Sequence, residues 1–242
     1  MIQILKKEVN SFFNSIIAYI VISVFLAAIG LFMWVFPDTS VMNYGFADMD
    51  TLFSFGPYVL MFLVPAVTMR MFAEERKSGT MELLLTKPLR DYEIILGKFL
   101  AGFTLVFFAI LPTLVYYFSI SSLGSPPGNI DTPGIIGSYI GLLLLGMIFT
   151  SIGLFSSSLN DNQVVSFITA IFLCFIFFSG FDYISALSSQ GTFASLLEKT
   201  GILYHYRFLS KGLIDLGDVV YFFSVTAFMI LLTKFVLSSR KW

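Results

Sequence analysis

Residues 16–36 read IIAYIVISVFLAAIGLFMWVF, and no position in that run carries a charge. Its length is close to the ~20 residues that a helix needs to cross ~30 Å of hydrocarbon. Five further apolar blocks follow, at about 52–69, 99–119, 135–155, 164–181 and 219–237. Only the last contains a charge, Lys234, close enough to its end for the ammonium to reach the headgroups. A charge at a helix centre costs about 2.5–3.5 kcal/mol on insertion scales, so this avoidance is a strong signal. The pattern predicts an all-α integral membrane protein, a single transmembrane domain over 1–242 with six transmembrane helices.

Composition agrees. Of 242 residues, 57% are hydrophobic and 12% charged, about half the charge of an ordinary soluble domain. That argues against a soluble enzyme. The net charge of −1 supplies no basic field for nucleic acid. The single cysteine, Cys174, excludes an internal disulfide and a thiolate metal cluster, and the single histidine, His205, excludes a multi-histidine metal site.

Positive charge sets the expected orientation. Lys6 and Lys7 precede the first span; Arg70, Arg76, Lys77, Lys87, Arg90 and Lys98 lie between spans two and three; Lys234, Arg240 and Lys241 close the chain. The stretches 37–51 and 120–134 carry only Asp38, Asp48, Asp50 and Asp131. Both termini are therefore expected in the cytoplasm. The first block is too long for a signal-peptide core and lacks a small-x-small cleavage site, so it reads as a retained helix.

Before that block, Ile2, Leu5, Val9, Phe12, Phe13 and Ile16 fall at helical spacing, with Gln3, Lys6, Lys7, Asn10 and Asn14 on the other side. This suits a helix lying in the membrane interface; a water-exposed extension of the first span is the alternative. Pro65 and Pro112 fall inside spans two and three and favour kinks. The short 156–163 connection makes spans four and five antiparallel neighbours.

Two hydrophilic stretches stand out. In 70–98, Glu74-Glu75-Arg76-Lys77 and Ser78-Gly79 lead into Met81-Glu82-Leu83-Leu84-Leu85, about a turn and a half of helix, with Thr80 as its cap and Pro88 as its stop. Asp91 reads as the cap of the next helix. A short leucine-rich helix held outside the bilayer either lies on the lipid surface or docks into a soluble partner. The second stretch, 182–218, holds Phe193, Leu196, Leu197, Ile202 and Leu203 and is expected to form short external helices. His205 sits there between Tyr204 and Tyr206, a satisfied interfacial histidine in preference to a catalytic one.

No catalytic set, metal site or cofactor site emerges. The nearest approach to a phosphate-binding loop, Gly97-Lys98, has Tyr92 where the first glycine belongs and Phe99 in place of Ser or Thr. No carboxylate lies within a span, which argues against a proton relay. Gly137 and Gly141 form a small-xxx-small pair suited to close helix packing, within the chain or between copies.

The stretch Glu74-Glu75-Arg76-Lys77-Ser78-Gly79-Thr80-Met81-Glu82-Leu83-Leu84-Leu85-Thr86-Lys87-Pro88, followed by Gly97-Lys98, resembles the coupling-helix region of permeases of the type-2 ABC exporters. Tyr44-Gly45-Phe46-Ala47-Asp48, Pro65-Ala66-Val67-Thr68-Met69-Arg70, Gly128-Asn129-Ile130-Asp131, Ile152-Gly153-Leu154-Phe155-Ser156-Ser157-Ser158-Leu159 and Ser239-Arg240-Lys241-Trp242 are similar to the gliding-motility-associated ABC permeases of that family. The resemblance runs essentially end to end. It implies a bacterial inner-membrane permease without ATP chemistry of its own, moved by a cytoplasmic ABC ATPase. A second membrane subunit or a second copy of the chain would complete the path. It also implies that Glu74, Glu75, Arg76, Gly79, Thr80, Met81, Glu82, Leu83, Leu84, Leu85 and Pro88 form the ATPase interface. A membrane scaffold of the same architecture that transports nothing is the competing reading.

Overall fold

In the computed structural model, which describes residues 1–81, 90–187 and 192–239, the apolar blocks are helical, and all but the first run on past their hydrophobic limits. In chain order they are α1 (Ile2–Phe13), α2 (Ile16–Trp34), α3 (Val41–Tyr44), α4 (Asp50–Thr68), α5 (Arg70–Lys77), α6 (Asp91–Ile110) and α7 (Leu114–Leu123). Then come α8 (Thr132–Leu159), α9 (Gln163–Phe175), α10 (Phe181–Leu187), α11 (Thr192–Thr200), α12 (Ile202–Leu209) and α13 (Leu216–Ser239). Among the described residues no strand occurs. Six pieces are long and apolar enough to span a membrane: α2, α4 with α5, α6 with α7, α8, α9 with α10, and α13.

α8 is the centre of the bundle. It packs against α4, α5, α6, α9, α12 and α13, and most of its length is buried. Glycine permits this closeness at Gly153, where a Cβ would overlap the Thr68 side chain of α4. The outer helices differ. α2, α9 and α13 expose Ile20, Val24, Ile168, Phe172, Leu231 and Phe235, an apolar surface that only lipid or another apolar protein surface can cover.

The prolines act unequally. Pro112 sits in a 3-10 turn, Leu111–Thr113, that joins α6 to α7. Pro65 lies inside α4, and so does Pro57, which the hydropathy pattern does not single out. Pro57 has no N–H for the carbonyl of Phe53 four residues earlier. The buried Tyr206 hydroxyl of α12 donates to that carbonyl at 2.8 Å. Burial pushes the Tyr206 phenol above its ordinary pKa, so the proton needed for donation stays in place.

α1 is packed against the bundle. Its buried row is Ile4, Glu8 and Phe12, rotated from the apolar stripe that its spacing suggests, and Ile2 and Ile16 are exposed. Ile4 lies over Gly97 of α6 so closely that a Cβ there would overlap it. A charged residue in the buried row requires a partner, and α6 supplies one.

Candidate functional site

The site lies where α1, α5 and the start of α6 converge. It begins at the junction of α4 and α5, which run on from each other except at Met69. A new helix start leaves N–H groups without acceptors. Here the N–H groups of Phe72 and Ala73 donate to Ser157 Oγ of α8 at 3.0 and 3.1 Å. The Ser157 hydroxyl in turn donates to the carbonyl of Met69 at 2.8 Å. One buried serine thus fixes the direction in which α5 leaves the bundle.

On α5, Glu75 faces α6. The Lys98 ammonium is 1% exposed and reaches Glu8 Oε1 at 2.9 Å, Glu75 Oε1 at 3.0 Å and the Met71 carbonyl at 2.7 Å. Three acceptors match its three N–H donors, and the ring of Phe72 lies 5.2 Å beneath it. Burying a charge is costly unless it is paired and hydrogen-bonded, and Lys98 is both. Lys7 closes the cluster from the water side, 3.1 Å from Glu75 and 3.7 Å from Glu8. Burial alone would lower the Lys7 pKa; the charges of Glu75 and then Glu8 outweigh it and hold Lys7 above the ordinary lysine value.

These contacts have one geometric result. The segment 78–90 leaves from α5 and returns into α6, and Glu75 and Lys98 tie its two flanks together, with Glu8 binding both to α1. Arg76 Nη1 is 3.6 Å from Asp161 in the turn between α8 and α9. α5 ends at Lys77 with Ser78 as its C-cap, and the next residue, Gly79, has a φ of +70°, a left-handed stop that suits glycine.

Of the coupling residues implied by the sequence, Glu74, Gly79 and Thr80 are exposed, and Met81 is buried with Ile4, Ile94 and Phe99. Glu75 and Arg76 are engaged within the chain. Thr80 donates back to the Glu75 carbonyl at 3.2 Å. Glu82, Leu83, Leu84, Leu85 and Pro88 lie outside the described residues. Asp91 is in the first turn of α6 and is not its cap: the N-cap is Arg90, whose N–H donates to Glu93 at 3.1 Å. Sequence reasoning took Lys98 as a positive charge and as part of the Gly97-Lys98 pair, not as the centre of a buried cluster, and placed no weight on Glu8.

At the opposite end of the bundle, Gly137 and Gly141 of α8 face the chain's own Gly212 and Leu209. Gly212, at φ +76°, brings its main chain against that of Gly134. His205 Nδ1 is 2.6 Å from Asp218 Oδ1, and its Nε2 is 2.9 Å from the Lys199 carbonyl. Its ring stacks on Tyr221 at 3.9 Å. Arg207 spans to Asp182 at 3.0 Å and Glu198 at 3.4 Å. These contacts hold the short helices onto the bundle and leave His205 no free ring nitrogen.

Among the described residues, no group of three or more His, Cys, Asp or Glu side chains is placed to hold a metal. The site is a mechanical junction of helices and charges. A model of the family described as ABC-2 family transporter protein matches residues 36–199, from before α3 to the end of α11. No curated protein matches the chain.

Proposed function

The chain belongs to the ABC-2 family of transporter proteins, and on that premise we propose that a separate ATPase subunit moves it through the segment around 74–90. The family makes it a multi-pass permease subunit, a transport component and not itself the catalyst, which works in a bilayer with a partner ABC ATPase. The finer reading is an exporter of the bacterial inner membrane serving gliding motility, with both termini in the cytoplasm. Its basis is the charge distribution and the sequence stretches quoted above.

The observation that carries coupling is the Lys98 cluster. A partner pressing on 78–90 would meet two flanks already joined by Glu75 and Lys98. Its force would pass into α1, α4 and α6 together instead of bending one loop. Leu83, Leu84 and Leu85 would offer the apolar dock and Glu82 its charged rim, while Met81, buried against Ile4, Ile94 and Phe99, would anchor the segment to the bundle. A second transmembrane unit, another copy or a different subunit, would complete the path.

The test is Leu84→Asp. An unpaired charge in an apolar dock costs roughly 2–5 kcal/mol, so ATPase co-purification should fall by about thirtyfold or more. Membrane insertion should persist, because position 84 lies outside every span. Full association together with full stimulation of hydrolysis by the reconstituted complex would assign the leucines to the lipid surface and end the coupling reading.

A further inference from the structure

Between α1 and α5 lies a cavity of about 250 Å³, lined among others by Lys7, Glu8, Ser11, Arg70, Glu74 and Lys98. That is below the ~300–1,000 Å³ of sites for drug-sized ligands. Its cations, Lys7, Arg70 and Lys98, are balanced by Glu8, Glu74 and Glu75. Four of these six are committed to one another in the Lys98 cluster. Among the described residues, the other two, Arg70 and Glu74, form no ion pair with each other or with any neighbour.

Their placement is ordered. One face of the Arg70 guanidinium is covered by the ring of Phe12, 5.1 Å away, which leaves the N–H edges to bind. A planar fork of that kind matches two oxygens of a phosphate. Glu74 follows one turn later on the same face of α5, about 6 Å farther along the axis. Arg70 is the first charged residue after the apolar run 52–69, where a span is expected to reach the headgroups, and Glu74 lies one turn farther from that run. Ser11, on the facing wall, adds a hydroxyl.

We propose that this cavity binds the headgroup of a phospholipid that carries a phosphate and a primary ammonium, of the phosphatidylethanolamine type. The phosphate lies on Arg70 and the ammonium donates to Glu74. An anionic headgroup such as phosphatidylglycerol would leave Glu74 unanswered and set a like charge beside it. A choline headgroup carries the positive charge but has no N–H to donate. The bound lipid would bridge α1 and α5 on the side of the cavity away from Lys98.

Native mass spectrometry of the purified chain, after exchange into phosphatidylethanolamine, phosphatidylglycerol or phosphatidylcholine of matched acyl chains, tests this. Retention of the ethanolamine lipid should exceed that of the other two by about tenfold, the value of one charge-assisted hydrogen bond. Glu74→Gln should erase the preference over phosphatidylglycerol, and Arg70→Gln should lower retention of all three. Thermal unfolding checks that both variants stay folded. Equal retention of the three lipids by the unaltered chain, or an unchanged preference in Glu74→Gln, would overturn the proposal. Displacement of the lipid by equimolar soluble O-phosphoethanolamine would overturn a lipid as the source of the zwitterion. If Arg70→Gln leaves lipid retention intact and lowers ATPase co-purification instead, the two charges belong to the protein partner and the lipid site is wrong.

Discussion

Tyr206 donates its phenolic hydrogen to the main-chain carbonyl of Phe53, the acceptor that Pro57 leaves without its helical donor. The bond joins α12 to the first turn of α4 across a long sequence separation. Tyr206→Phe would leave a buried carbonyl unsatisfied at a cost of about 1–3 kcal/mol. Unfolding of the detergent-solubilised protein should shift accordingly. Pro57→Ala restores an N–H at position 57, so it should cancel most of the loss in the double variant. Additive losses would show that the bond does not serve the proline.

Lys98→Met should be among the most damaging single changes at the α1 end of the bundle. It removes the buried cation of Glu8 and Glu75 and leaves them only the exposed Lys7; breaking a buried pair costs about 3–5 kcal/mol. The expected signs are a lower unfolding temperature and protease cleavage within α1. Replacing Glu8 and Glu75 with Met as well should recover much of the stability, since an apolar core can substitute for a buried ion pair. If Lys98→Met alone is neutral, the cluster does not hold α1.

Gly137→Ala and Gly141→Ala place a methyl group against Gly212 and Leu209. Overpacking of this kind costs about 1–3 kcal/mol. Hydrogen exchange in α12 should rise, while the oligomeric state measured by light scattering stays unchanged. A change of oligomeric state with α12 still protected would assign the pair to an interface between copies.

Orientation is open to labelling. In a chain with Cys174 replaced, Asn43→Cys and Asn129→Cys should react with an impermeant maleimide added to intact cells, and Ser78→Cys only after the membrane is opened. All three positions are exposed. Labelling of position 78 in intact cells would reverse the charge-based topology.

The spans were legible because hydrocarbon excludes charge so strongly that Asp and Glu are missing from six whole blocks. The short helices between the fifth and sixth spans were legible too, from apolar residues in a stretch too long for a turn. Lys98 was not. It stands at the edge of an apolar block, where a lysine ordinarily extends to the headgroups, and its acceptors Glu8 and Glu75 are distant in sequence. Glu8 was passed over for the same reason, because helical periodicity gives no sign of a carboxylate whose cation stands on a distant helix. The task of Pro57 was equally hidden, since only the fold shows which hydroxyl reaches the carbonyl that it orphans.

The Ser157 junction has a mechanical consequence. Under the proposed coupling, its hydrogen bonds to Met69, Phe72 and Ala73 would serve as a fulcrum, with α5 and α4 as unequal arms on either side of it. At 1.5 Å per residue, the 8 residues of α5 make an arm of about 12 Å and the 19 of α4 one of about 28 Å. A tilt imposed at Lys77 would be roughly doubled at the far end of α4. There it would arrive beside Phe53, and the hydroxyl of Tyr206 would pass it to α12. A displacement of an ångström on one side of the membrane would thus become a movement of about two on the other, with no helix unwinding in between.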